Sequence, residues 1–211
     1  MRRITLLLAA MGTALLLSAG LALAATYDCF AGRACIGTDG PDTLIGTSSW
    51  DYMDGRQGDD RLFGNERGDE MSGDAWDTPV NGTSTDGDDL LRGGPSWDFM
   101  AGYGGDDELY GGLGGDFIFA EEASANGGED TVYGSKGNDY IEARDETKDA
   151  INCGGGNTDV AFFDKGGIDT VSDNCEYRNE WPDFEEPSSA AASSSAADKV
   201  GAKKLDALRA R

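Results

Sequence analysis

Aspartate recurs along this 211-residue chain on a fixed beat. Asp42, Asp51, Asp60 and Asp69 are nine apart, and so are Asp89, Asp98, Asp107 and Asp116. Asp130 and Asp139 keep the interval, and Asp149, Asp159 and Asp169 widen it to ten. Evenly spaced carboxylates in a chain of formal net charge -23 suit cations. They oppose nucleic-acid binding, which needs a basic footprint, and disfavour an anionic membrane surface. The chain has no histidine. That removes Ser-His-Asp and Cys-His nucleophile systems and histidine-ligated zinc. Carboxylate-only catalysis, as in glycosidases, stays formally open.

Something must hold these carboxylates in register, and the remaining residues say what. Gly37, Gly46, Gly55, Gly64, Gly73 and Gly82 are nine apart, as are Gly93, Gly102 and Gly111. Two residues after each aspartate stands an apolar side chain: Leu44, Met53, Leu62, Met71, Leu91, Met100, Leu109, Ile118, Val132, Ile141, Ile151, Ala161 and Val171. A further unit is read from Gly73 to Asn81, with apolar Val80 and a displaced Asp77. At 38% apolar composition, chance would fill only about five of these fourteen slots, so the period is a solenoid signature.

The cleanest units are Gly37 to Ile45, Gly55 to Phe63 and Gly111 to Phe119. Over about residues 37 to 172 the pattern resembles the repeats-in-toxin (hemolysin-type) calcium-binding nonapeptide, G-G-x-G-x-D-x-U-x. The resemblance implies an all-β fold, a parallel β-roll or right-handed β-solenoid of nine-residue half-coils. Six residues of each unit turn and three make a strand; eighteen residues complete a coil. The apolar eighth residue points inward and its neighbours outward. The core is then one side chain wide, too thin to hold the fold well by burial alone. The resemblance also implies several Ca²⁺ ions, each needing six to eight oxygens, from turn carbonyls and from the thirteen aspartates named above. Without the ion, carboxylates one coil apart would repel by roughly 3 kcal/mol at an effective dielectric near 20. Folding should therefore depend on calcium.

Some units depart from the motif. Ser49 and Ser96 replace the fourth-position glycine before Asp51 and Asp98, and Arg67 does so before Asp69. These turns are expected to bind weakly or not at all. Insertions are expected within Gly82 to Asp86 and at about Glu121 to Ala125. Outward slots carry Tyr52, Phe99, Phe117 and Tyr140, with Phe63, Tyr110, Phe119 and Tyr133. They read as stacking between strands, or as a platform for sugars or a partner.

The termini bound the organisation. Residues 1–25 read as a signal peptide: Arg2 and Arg3, an apolar run from Ile4 to Leu17, and a small-residue cleavage site at Ala22 to Ala25. Residues 26–36 read as a stapled cap, 37–180 as the roll with a C-terminal cap, and 181–211 as a flexible Ala/Ser-rich and basic tail. Four cysteines allow three pairings. Cys29 with Cys35 and Cys153 with Cys175 would staple each end, as an oxidising compartment permits. The expected protein is secreted, extracellular or at the cell surface, with no membrane span once mature. It binds calcium, is not an enzyme, and has a structural, adhesive or surface-associated role. A cell-surface polysaccharide or another secreted protein is the expected partner, and no nucleic acid. The alternatives are an accessory module for an extracellular hydrolase and a carboxylate-only polysaccharide-acting enzyme.

Overall fold

Side chains in a strand alternate between its two faces, so a repeat with one apolar residue per three-residue strand can bury only one column per sheet. The computed structural model describes residues 24–74, 86–120 and 127–181, and these build two such columns. One sheet stacks β1 (Ala25–Asp28), β3 (Asp42–Ile45), β5 (Arg61–Phe63), β7 (Leu90–Pro95), β9 (Glu108–Leu113), β11 (Thr131–Lys136), β13 (Ala150–Asn152) and β15 (Thr170–Val171) in that order. The other stacks β2 (Ala34–Ile36), β4 (Tyr52–Arg56), β6 (Glu70–Asp74), β8 (Phe99–Ala101), β10 (Phe117–Phe119), β12 (Tyr140–Ala143), β14 (Val160–Asp164) and β16 (Tyr177–Trp181). Every pairing is parallel, and successive strands alternate between sheets, as a β-roll requires. Among the described residues there is no helix long and apolar enough to cross a membrane.

The columns are continuous. Leu44, Leu62, Leu91, Leu109, Val132 and Ile151 pair strand to strand in one sheet. Cys35, Met53, Met71, Met100, Ile118, Ile141 and Ala161 do so in the other. From Leu44 to Ile151 and from Met53 to Ala161, these side chains are 2% exposed or less.

One unit read from the sequence is not there. Leu62 pairs directly with Leu91 and Met71 with Met100, so nothing is interposed between these partners in either sheet. Stacked aspartates are 29 residues apart at this coil, against 18 in a plain one. The span from Gly73 to Asn81 is therefore not a half-coil. Had it been, β7 would have crossed to the other sheet and Leu91 would stack on Met71. The sequence instead carries one insertion of eleven residues in this coil, and Asp77 and Val80 lie outside the described residues. The second insertion adds five residues to its coil.

Both ends are tied. Cys29 is bonded to Cys35, with Cα atoms 5.3 Å apart, and Cys153 to Cys175, at 5.2 Å. The residues from Ala25 to Ile36 form the first coil, since β1 pairs with β3 and β2 with β4. Residues 1–23 of the segment read as a signal peptide, and the tail beyond Trp181, lie outside the described residues.

The outward aromatics pack on one another along the stack. Phe99 meets Phe119 at 5.2 Å, Tyr140 meets Phe162 at 5.3 Å, and Tyr110 lies flat on Tyr133 at 4.8 Å. The Arg92 guanidinium sits between Phe63 and Tyr110, a cation–π contact on each side. Stacking between strands accounts for these contacts.

Candidate metal centres

Each aspartate closes a turn and begins the step into a strand, so all thirteen are carried to the two edges of the roll. One edge holds Asp42, Asp60, Asp89, Asp107, Asp130, Asp149 and Asp169; the other holds Asp51, Asp69, Asp98, Asp116, Asp139 and Asp159. Except for Asp169, all are buried, at 3% exposure or less.

The two carboxylate oxygens do different jobs. Except in Asp42 and Asp51, which begin the ladders, Oδ1 accepts the backbone N–H of the aspartate one coil earlier. On the first edge Asp42 donates to Asp60, Asp60 to Asp89, Asp89 to Asp107, and so on to Asp169, at 2.7–3.0 Å. On the second edge the same chain runs from Asp51 to Asp159 at 2.7–2.9 Å. The carboxylates thus stitch coil to coil.

Oδ2 is left over. In Asp60, Asp69, Asp89, Asp98, Asp107, Asp116, Asp130, Asp139, Asp149 and Asp159 it is buried with no hydrogen-bond partner. A buried carboxylate oxygen without a partner is costly, and ten in two rows call for a cation. The three exceptions stand at the ends. Oδ2 of Asp42 accepts from the N–H and hydroxyl of Thr38, and Oδ2 of Asp51 from those of Thr47. Oδ2 of Asp169 accepts from the Asp164 N–H.

The surroundings fit calcium. A Cβ built on Gly111 would meet Oδ2 of Asp116 and, 2.8 Å away, the carbonyl oxygen of Gly134 in the next coil. Gly37, Gly55, Gly64, Gly73, Gly93, Gly102 and Gly134 likewise face an aspartate Oδ2 and a carbonyl of the following coil. First-position glycine therefore keeps open a cradle lined by carboxylate and carbonyl oxygens, hard donors that suit Ca²⁺. Among the described residues no three acidic side chains form a cage by themselves. The ion must then draw on backbone carbonyls as well as on the aspartates.

The charge state agrees. Burial, above all, raises these carboxyls from an ordinary 3.8, and the stacked N–H donor only partly offsets it. Asp60, Asp69, Asp98 and Asp130 stand at about 7, and Asp116 and Asp149 at about 8. Asp139 and Asp169 reach about 6, and Asp107 lies well above 3.8. Neighbouring aspartates add to the rise at most of these sites. Burial thus favours the protonated form at each site, and a bound cation would compete with that proton.

Two of the three degenerate turns, not that of Ser49, keep the common backbone. Arg67 and Ser96 hold the left-handed conformation that fourth-position Gly58 and Gly105 adopt, with φ of 73° and 96°. Asp69 and Asp98 are left with a bare Oδ2 like their neighbours, whereas Asp51 is satisfied by Thr47. The sequence reading missed three participants. Glu176 accepts the Asp159 N–H at 2.9 Å and ends the second ladder. Asp164 accepts from the N–H groups of Asp145 and Glu146. Asp74 is buried beside the first edge. Only Glu176 had a signal, lying 17 residues beyond Asp159, about one coil.

The model of the RTX calcium-binding nonapeptide repeat matches four copies, over residues 36–74, 83–118 and 120–145. No curated protein and no solved structure matches the chain. The ladder geometry and the family match agree: residues 36–145 belong to the RTX calcium-binding nonapeptide repeat family, and this is a calcium-binding β-roll.

Proposed function

We propose that the chain is exported and acts outside the cytoplasm as a structural or adhesive module that folds when it meets calcium, without catalytic activity of its own. The observation that carries this reading is the row of ten buried, unpartnered aspartate oxygens. They make the ion-free fold costly and the ion-bound fold stable, a switch suited to a chain that leaves a calcium-poor compartment for a calcium-rich one. Two disulfides fit an oxidising destination, and RTX repeat proteins are typically secreted. The ladder aspartates are ill-suited to glycoside hydrolysis. That chemistry needs two carboxyls facing a sugar, whereas these are buried and committed to backbone N–H groups. The outward aromatic rows offer a polysaccharide or a second secreted protein a flat face.

Affinity should be that of an extracellular module, with Kd of about 10⁻⁴ to 10⁻³ M. The test is circular dichroism of the mature, disulfide-intact protein. In chelator at about pH 8 it should lack β signal and gain it with Ca²⁺ but not Mg²⁺, which requires tight octahedral geometry and dehydrates reluctantly. An unchanged β spectrum and melting point in chelator would refute calcium-coupled folding.

A further inference from the structure

The two edges of the roll are not alike. Both insertions fall on the first edge, and that edge carries acids the repeat does not ask for. Asp59, Asp88, Asp106 and Glu129 form an exposed column in which each N–H donates to the preceding carboxylate, at 2.8–3.3 Å. The second edge has Trp50, Gly68, Trp97 and Gly115 at the same place in the turn.

The residues around Asp74 and Asp89 stand apart even on this edge. Asp74 stands in the slot that Gly94 and Gly112 fill elsewhere, and Asp86, next to Gly87, is the next residue described after it. Asp74 is 3% exposed. Its Oδ2 accepts the Gly87 N–H at 3.3 Å, while its Oδ1 is buried with no partner. Asp86, half-buried, is the charged neighbour acting on it most strongly, followed by Asp60. Oδ2 of Asp86 lies 3.0 Å from a Cβ built on Gly104, so it overhangs the turn of the following coil. Asp74 N–H points to the same turn, to the Gly102 carbonyl at 3.4 Å. Asp89, whose Oδ2 is also bare, counts Asp74 and Asp60 as its nearest charged influences. A buried carboxylate oxygen with no partner, set among Asp60, Asp86 and Asp89, is stable as an anion only if a cation is present.

We propose that Asp74, Asp86 and Asp89 line a cation site of its own class, tighter than the repeat sites, in which Asp74 adds a ligand oxygen through Oδ1 and Asp86 adds charge from outside. The proposal rests on the calcium reading above. Divalent-ion affinity is tuned by the number of charged ligands and the rigidity of the site. An added carboxylate should tighten the first ion by about tenfold over the others. That ion would fill first and tether the residues on either side of the insertion.

Isothermal titration of the chelator-stripped mature chain with CaCl₂ tests this. The wild type should show one tight class ahead of a weaker set. Asp74→Asn keeps the shape and removes the charge; Asp74→Gly restores the glycine of the repeat. Both should abolish the tight class, leave the weaker set in place, and show a wild-type β spectrum in saturating calcium. Asp86→Asn, at a less buried position, should weaken the first ion severalfold and decides the matter if the Asp74 variants do not fold. A first-ion affinity unchanged in Asp74→Asn, or in Asp86→Asn alone if only that variant folds, overturns the proposal. So does a tight class that survives Asp74→Gly. A wild type that binds no calcium refutes the calcium reading itself, whereas variants indistinguishable from a calcium-binding wild type refute only the special site.

Discussion

Removing calcium should make the fold dependent on pH, and the direction follows from the buried aspartates. Asp60, 1% exposed, is raised from 3.8 to about 7 chiefly by burial. Each tenfold change in proton affinity is worth about 1.4 kcal/mol, so ionising this one group costs the calcium-free fold about 4 kcal/mol. Asp69, Asp98 and Asp130 are placed alike, and Asp116 and Asp149 higher still. Two or three such charges match the ~5–15 kcal/mol of net stability of an ordinary domain. A group whose folded pKa is raised contributes stability that is complete below its unfolded value, here 3.8, and lost as pH rises through the folded value. The chelated protein should therefore keep most β structure near about pH 4 and lose it progressively as pH rises toward the folded values, with little left by about pH 8. The assay is circular dichroism in chelator across that range, repeated in saturating calcium, where the transition should vanish. Adding calcium at about pH 6.5 should also release protons, which a pH-stat would record. Equal β content in chelator at about pH 4 and pH 8 would refute the reasoning, because the bare Oδ2 atoms would then carry no such cost.

Three further outcomes follow from particular contacts. Asp107→Ala should raise the calcium midpoint severalfold, whereas Asp42→Ala should shift it little, because Thr38 already satisfies Asp42 Oδ2; calcium titration of both variants by circular dichroism compares them. Arg67→Gly relieves a left-handed, exposed arginine and should stabilise the calcium-loaded protein by about 1 kcal/mol, read as a melting temperature higher by a few degrees. Cys153→Ala with Cys175→Ala should destabilise the last coils by about 2–4 kcal/mol, seen as faster amide exchange in β14 and β16 than in β8 and β10; peptide mapping of the wild type without reductant should recover the Cys153–Cys175 pair intact.

Much of this molecule is legible without coordinates because its period is a local property. A strand's two-residue alternation decides that Leu44, Met53, Leu62 and their successors face inward, and a nine-residue unit decides that like units recur every second turn. The aspartate positions, the core column and the pairing of Cys153 with Cys175 about one coil apart all come from counting along the chain. Counting failed at Gly73 to Asn81, where an insertion of nearly unit length in the sequence imitates a repeat. Whether the next strand lies on Leu62 or on Met71 is decided by which sheet edge offers hydrogen bonds, and that edge belongs to residues 29 positions away. The roles of the two carboxylate oxygens were hidden for the same reason. Oδ1 is occupied by an N–H from the neighbouring coil, Oδ2 is free unless a threonine such as Thr38 stands beside it, and neither partner is marked by the period. Composition and spacing determined a solenoid of acidic turns, and the resemblance of its unit to the RTX nonapeptide implied the roll. Only the stacking of coil on coil decided which oxygens remain for an ion, that Glu176 ends one ladder, and that Asp74 is buried among them, because those choices are contacts between segments distant in the chain.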